Sequence, residues 1–175
     1  MSLDIHQFIE NIVLKDLPEL ASTNRYLGAG VLAGGIEFMG ACIDSHPIAV
    51  ERQSAARFCL ALNEFFPAKY HKFSRPAPYT KALAPVHDLY SSLRCGMAHV
   101  MRPQGVLLTG TTAEAKVDGH THLKILNRGG QDRTLIVVEE FAKHYVAAVK
   151  KLAKRLKASP LPPKLQGDFL TVWPS

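Results

Sequence analysis

The chain has 175 residues, 47% of them hydrophobic, and a formal charge of +6. That length suits one well-buried core and is short for two. The charge favours an anionic partner without deciding for one, and Cys42, Cys59 and Cys95, set in apolar or helix-patterned runs with no paired spacing, argue against a disulfide scaffold and for a reducing, cytoplasmic setting.

No basic leader with an apolar core opens the sequence, so secretion is not expected. Residues 3–17 place Ile5, Phe8, Ile9, Ile12 and Val13 at helical spacing, with Ser2 as N-cap and Pro18 as terminator. Ser22, Thr23 and Asn24 then cap a second helix reaching Ile43. Its stretch 26–43 is about long enough to span a bilayer, but Glu37 near the centre and many small residues argue for a buried core helix and no membrane. Gly28, Gly30, Gly34, Gly35 and Gly40 weaken this helix in isolation, which predicts close helix approach in return. Gly28-x-Gly30-x-x-Ala33 matches the spacing of a dinucleotide fingerprint. No strand precedes it, as that fingerprint requires.

A third helix is expected from Pro47 to about Phe66, burying Ile48, Ala55, Phe58, Cys59, Leu62 and Phe65. Residues 67–80 form an irregular basic connector, in which Lys69, Lys72 and Arg75 are candidate phosphate contacts. Short β-prone runs then fall at 106–108, 114–117, 120–126 and 133–138, with Asp118-Gly119 as a hairpin signal. They predict a small antiparallel sheet inserted before a last helix from about Glu139 to Leu156. His120 and His122 would share one side of a strand, as an exposed pair and not a metal site. The last helix opens acidic and closes basic, which suits its dipole. The chain thus divides into one domain, 1–158, and a proline-rich tail, 159–175, with Phe169, Val172 and Trp173 as anchors.

The stretch 81–103, KALAPVHDLYSSLRCGMAHVMRP, is the centre of interest. Read as a helix, it gathers Leu83, Val86, Leu89, Tyr90, Leu93, Met97 and Val100 on one face. The other face carries His87, Asp88, Ser91, Arg94, Cys95, His99 and Arg102, almost without the Lys and Glu of an ordinary solvated surface. Five helical steps put Arg94 and His99 roughly 140° apart around the axis, too far to share one phosphate within a subunit. A two-fold axis could bring the arginine of one copy to the histidine of the other. Two other readings stand beside this one: Arg94 could simply hold Asp44 or Glu37, and Cys95 with His99 could form a thiolate pair, which lacks an orienting third residue.

Arg94, four residues and His99, within LYSSLRCGMAHVMRP, resemble the motif of the HEPN superfamily, as found in uncharacterised bacterial relatives. The resemblance implies a mainly α, HEPN-like helical bundle with the small sheet inserted. It further implies RNA binding or metal-independent endoribonuclease activity through Arg94 and His99 at a homodimer interface, with no metal and no cofactor. His87, Asp88, Tyr90, Ser91 and Cys95 would support the site, and Lys69, Lys72, Arg75 and Arg102 would contact RNA or a nucleotide. Active members usually carry a polar residue after the arginine, where this chain has Cys95. That departure leaves a non-catalytic dimerisation or nucleotide-binding module, with an unidentified protein partner, as the alternative.

Overall fold

The computed structural model describes residues 2–171. It is mainly helical, with one three-stranded sheet and one short terminal ribbon. Strand β1 (Ser2–Leu3) leads into a long helical rod: α1 (Ile5–Phe8), a π-wound section (Ile9–Asp16) and α2 (Leu17–Thr23). The N-cap is Asp4, not Ser2, because Asp4 and Gln7 close a reciprocal capping box. Nor does Pro18 end the rod. It sits in the first turn of α2, directly after the wider π turns, where a missing amide and a bulky ring are tolerated.

Helix α3 (Arg25–Ile43), capped by Asn24, is the hub. It has the length and hydropathy to cross a membrane, yet Leu32, Ile36 and Met39 are fully buried among its neighbours. Gly28, Gly30, Gly35 and Gly40 supply the close approaches expected of them, whereas Gly34 faces open space. A Cβ on Gly40 would overlap the backbone of Arg57 on α4 (Ser54–Phe65), and one on Gly35 would overlap the Tyr145 hydroxyl.

Pro47 does not start α4. Arg57 donates from Nη2 to Pro47 O at 2.6 Å and from Nη1 to Ile48 O at 2.7 Å, so these carbonyls serve a guanidinium and not a helix, and helical winding begins only at Ser54. The connector 67–80 is a 3-10 helix, Ala68–Phe73, followed by turns. Its Tyr70 and Phe73 are buried in the main core.

The central stretch is not one helix. Pro85 interrupts it, a 3-10 turn occupies Lys81–Leu83, and continuous helix runs only through the π-wound Tyr90–Cys95 and α5 (Gly96–Val100). Leu83 and Val86, expected inside, are exposed, Val86 by 95%. Leu89, Leu93 and Met97 do enter the core.

The sheet has order β2-β4-β3, from β2 (Val106–Thr109), β3 (Ile125–Arg128) and β4 (Gln131–Val137). It is mixed, not antiparallel: β3 pairs antiparallel with β4, but β2 runs parallel to it. The parallel pair needs a crossover, and residues 114–117 supply it as helix α6 (Thr112–Val117) instead of a strand. Thr111 and Glu114 form its capping box. Asp118-Gly119 ends α6, with Gly119 at φ +65°, while the hairpin turn is Gly129-Gly130, both at positive φ.

Helix α7 (Val138–Lys157) buries Phe141, Tyr145, Val149 and Leu152. The tail lies along the body. Lys164 Nζ donates to the carbonyls of Ala41, Asp44 and His46 and to the Asp44 carboxylate, closing the end of α3. Phe169 packs against Phe8 and Phe38, and β5 (Leu170–Thr171) pairs with β1. Val172 and Trp173 lie outside the described residues.

Candidate functional site

Arg94 lies in the π-wound segment, one residue before its end, and packs against α3. Its Nε donates to Glu37 Oε2 at 2.6 Å, and both side chains are about four-fifths buried. Of the acidic partners open to it, Glu37 is the one it meets; Asp44 is held by Arg57 and Lys164. The two terminal nitrogens of Arg94 have no hydrogen-bond partner among the described residues. An arginine gripped through Nε presents the rest of its fork in a fixed direction.

Arg94 lines a groove of about 320 Å³ between α3 and α5, walled by Leu20, Leu27, Gly30, Gly34, Met97 and Met101. Leu20, Leu27 and Met101 are exposed along it, and the exposed Tyr26 donates its hydroxyl to Met101 O. His99 is exposed on α5 but does not line the groove. The two motif residues therefore share one short helix and open in different directions. A π turn can mark a functional site, but residues 9–16 wind the same way, so winding alone does not single out Tyr90–Cys95.

The supporting residues separate into two groups. Tyr90 and Cys95 stay beside Arg94: burial, then a hydrogen bond with Cys95, push the Tyr90 phenol up to about 12. Asp88 and Ser91 instead join Arg75. The Arg75 guanidinium donates from Nε (3.0 Å) and Nη2 (2.7 Å) to Asp88 Oδ2 and from Nη2 to Ser91 Oγ (2.9 Å), and it stacks on the Tyr90 ring 5.0 Å away. Arg75 and Asp88 are each only 5% exposed. Arg75 therefore faces the interior and is not a surface phosphate contact. His87 is half-buried and makes no side-chain hydrogen bond among the described residues.

The remaining basic candidates do not converge. Lys72 is exposed with Nζ over the Phe73 ring, Lys69 borders a different pocket, and Arg102 faces a cleft of its own. The excursion that carries Arg102 depends on Gly96. Arg102 N donates back to Gly96 O at 3.1 Å, and a Cβ at Gly96 would lie 2.6 Å from Arg102 O and 2.9 Å from Gln104 N. Gly96→Ala is expected to displace residues 102–104 and lower stability by about 1–2 kcal/mol despite its better helix propensity. Thermal unfolding and amide shifts of Arg102 and Gln104 would measure this.

Sequence reasoning missed one cluster entirely. His122 Nδ1 accepts from Val137 N–H (3.1 Å), so its proton resides on Nε2, which donates to the Tyr70 hydroxyl (2.7 Å). The Tyr70 hydroxyl in turn donates to His144 Nδ1 (3.0 Å). Burial, then the Lys69 and His144 charges, lower His122 to about 3, and burial raises Tyr70. His120 and His122 are thus no exposed pair. Both border a pocket of about 230 Å³ with Lys69, Thr112 and Glu140, and His120 Nδ1 is buried without a partner. No local pattern links residues 70, 122 and 144. No group of three or more potential metal ligands occurs among the described residues.

No protein-family model, curated protein or solved structure matches this chain.

Proposed function

We propose that the protein is a HEPN-like, RNA-binding homodimer that cleaves RNA without a metal through Arg94 and His99. The observation that carries this reading is Arg94, gripped by Glu37 through Nε and lining a groove rimmed by exposed apolar side chains. Such a rim suits burial against a second copy. A two-fold axis beside α5, with the groove rim covered at the edge of the interface, would set the Arg94 of one chain near the exposed His99 of its twin.

In that arrangement the ribose 2′-hydroxyl attacks the adjacent phosphorus and the bond from phosphorus to the 5′-oxygen breaks. One His99 takes the hydroxyl proton and the other supplies a proton to the departing oxygen. Arg94 stabilises the added negative charge on the phosphate. Glu37 keeps the guanidinium oriented, and cofactors play no part.

Incubation with RNA in chelator tests this. His99→Ala is expected to slow cleavage by about 10²–10⁴-fold, with Arg94→Ala impaired as well. Equal cleavage by all three proteins, or none by the wild type, would remove the catalytic claim. The second reading, a non-catalytic dimerisation or nucleotide-binding module, is favoured by Cys95 in the position after the arginine and by the apolar character of the groove. A dimer mass with no cleavage would select it, and a monomer mass would count against both.

A further inference from the structure

We propose that the cleft between the loop 102–105 and strand β4 binds the phosphodiester backbone of single-stranded RNA, as a second anchoring subsite beyond Arg94 and His99. This rests on the reading of the protein as RNA-binding. The cleft, of about 550 Å³, is lined by Arg102, Pro103, Gln104, Gly105, Gln131 and Arg133. None of these is acidic, and neither arginine is paired with a carboxylate among the described residues. Several other surface cations are already paired with a carboxylate: Arg25 with Glu114, Lys143 with Glu139, Arg155 with Glu64 and Lys157 with Glu10. Two free guanidinia from separate elements thus face one polar cavity, in which the planar fork of arginine suits phosphate oxygens.

The cleft is also built in advance of any ligand. Gln104 N donates to Ser92 O at 2.7 Å and Thr134 N to Gly105 O at 3.0 Å, so the loop is tied to the helix behind it and to the strand beside it. Gly105 takes φ +71°, which a side chain would resist. On β4, alternation places Gln131 and Arg133 on one face and Asp132 on the other, and Asp132 accepts from Asn127 at 2.8 Å. Arg133 Nη2 donates to Gln131 Oε1 at 3.1 Å, which steadies the guanidinium and turns the glutamine amide nitrogen away as a further donor. Arg102 stands three residues after His99. A strand held in the cleft would therefore run toward the helix end that carries the histidine.

The test is fluorescence anisotropy with a short single-stranded RNA, using His99→Ala protein so that the probe stays intact. Arg102→Gln with Arg133→Gln in that background is expected to weaken binding by about tenfold or more. The slope of log K against log salt should fall by about 1.4, the value for two lost single-strand phosphate contacts. Thermal unfolding of the double variant should match its parent, because neither arginine is buried. Unchanged affinity and slope would overturn the proposal, as would equal binding of polyglutamate or no RNA binding by the unsubstituted protein. Cleavage by protein with the cleft intact is a separate readout, so failure of Arg94 and His99 as catalysts is distinguishable from failure of the cleft.

Discussion

Arg75→Ala is expected to lower the free energy of unfolding by about 3–5 kcal/mol, the range for removing one partner of a buried ion pair. Asp88 would remain almost fully buried, with the Ser91 hydroxyl still donating to it at 2.8 Å and no cation in place. Its desolvation would then go uncompensated. The Tyr90 ring would also lose the guanidinium stacked on it. Arg75→Met combined with Asp88→Leu should recover most of the loss, because exchanging both charges for apolar groups strands neither. Denaturant unfolding of the two singles and the double measures this. A loss under about 1 kcal/mol for Arg75→Ala, the size seen for exposed pairs, would show that the pair is solvated.

Acidification is expected to weaken the fold through His122. In the unfolded chain an imidazole takes up its proton near pH 6.5, whereas in the fold His122 stays neutral until about 3. Between those limits the unfolded state binds more protons. The stabilisation is therefore complete above pH 6.5 and is lost as pH falls toward 3, by roughly 4–5 kcal/mol across the window. His144, also lowered by burial and by Lys69, acts in the same direction. The cause is geometric as well as dielectric: a proton on His122 Nδ1 would confront the Val137 N–H that now donates to it. Glutamine at 122 can accept from Val137 and donate to Tyr70 without titrating. His122→Gln should therefore flatten the fall in stability between pH 6.5 and 3 relative to wild type. Parallel profiles for the two proteins would refute the assignment.

The helical scaffold was largely legible because hydrophobic period and caps are local. Asn24 opens α3, and α7 begins within a residue of its expected start. What misled was punctuation with two meanings. Asp118-Gly119 reads as a hairpin but terminates a helix, and Thr111 with Glu114, a capping box, was passed over for a β-prone run. Pro47 had the credentials of a helix start until Arg57 claimed its carbonyl. Long-range pairing left no such trace. Nothing near Arg75 announces Asp88, and nothing in the register of 106–109 announces a parallel neighbour. Of the site, Arg94 and His99 stand out by spacing, and Glu37 is one of two acidic partners that the sequence offers the arginine. Arg133 and the Tyr70 cluster became visible only once separate elements were brought together.

The ribbon joining Ser2–Leu3 to Leu170–Thr171 pairs the first described strand with the last. During synthesis Ser2–Leu3 leave the ribosome before their partner, and that edge stays unpaired until Leu170–Thr171 follow. Two residues per strand cannot hold alone, so the clasp depends on Phe169 finding Phe8 and Phe38. Pairing at this sequence separation carries the cost of closing the chain between the two strands, and the aromatic contacts of Phe169 offset it.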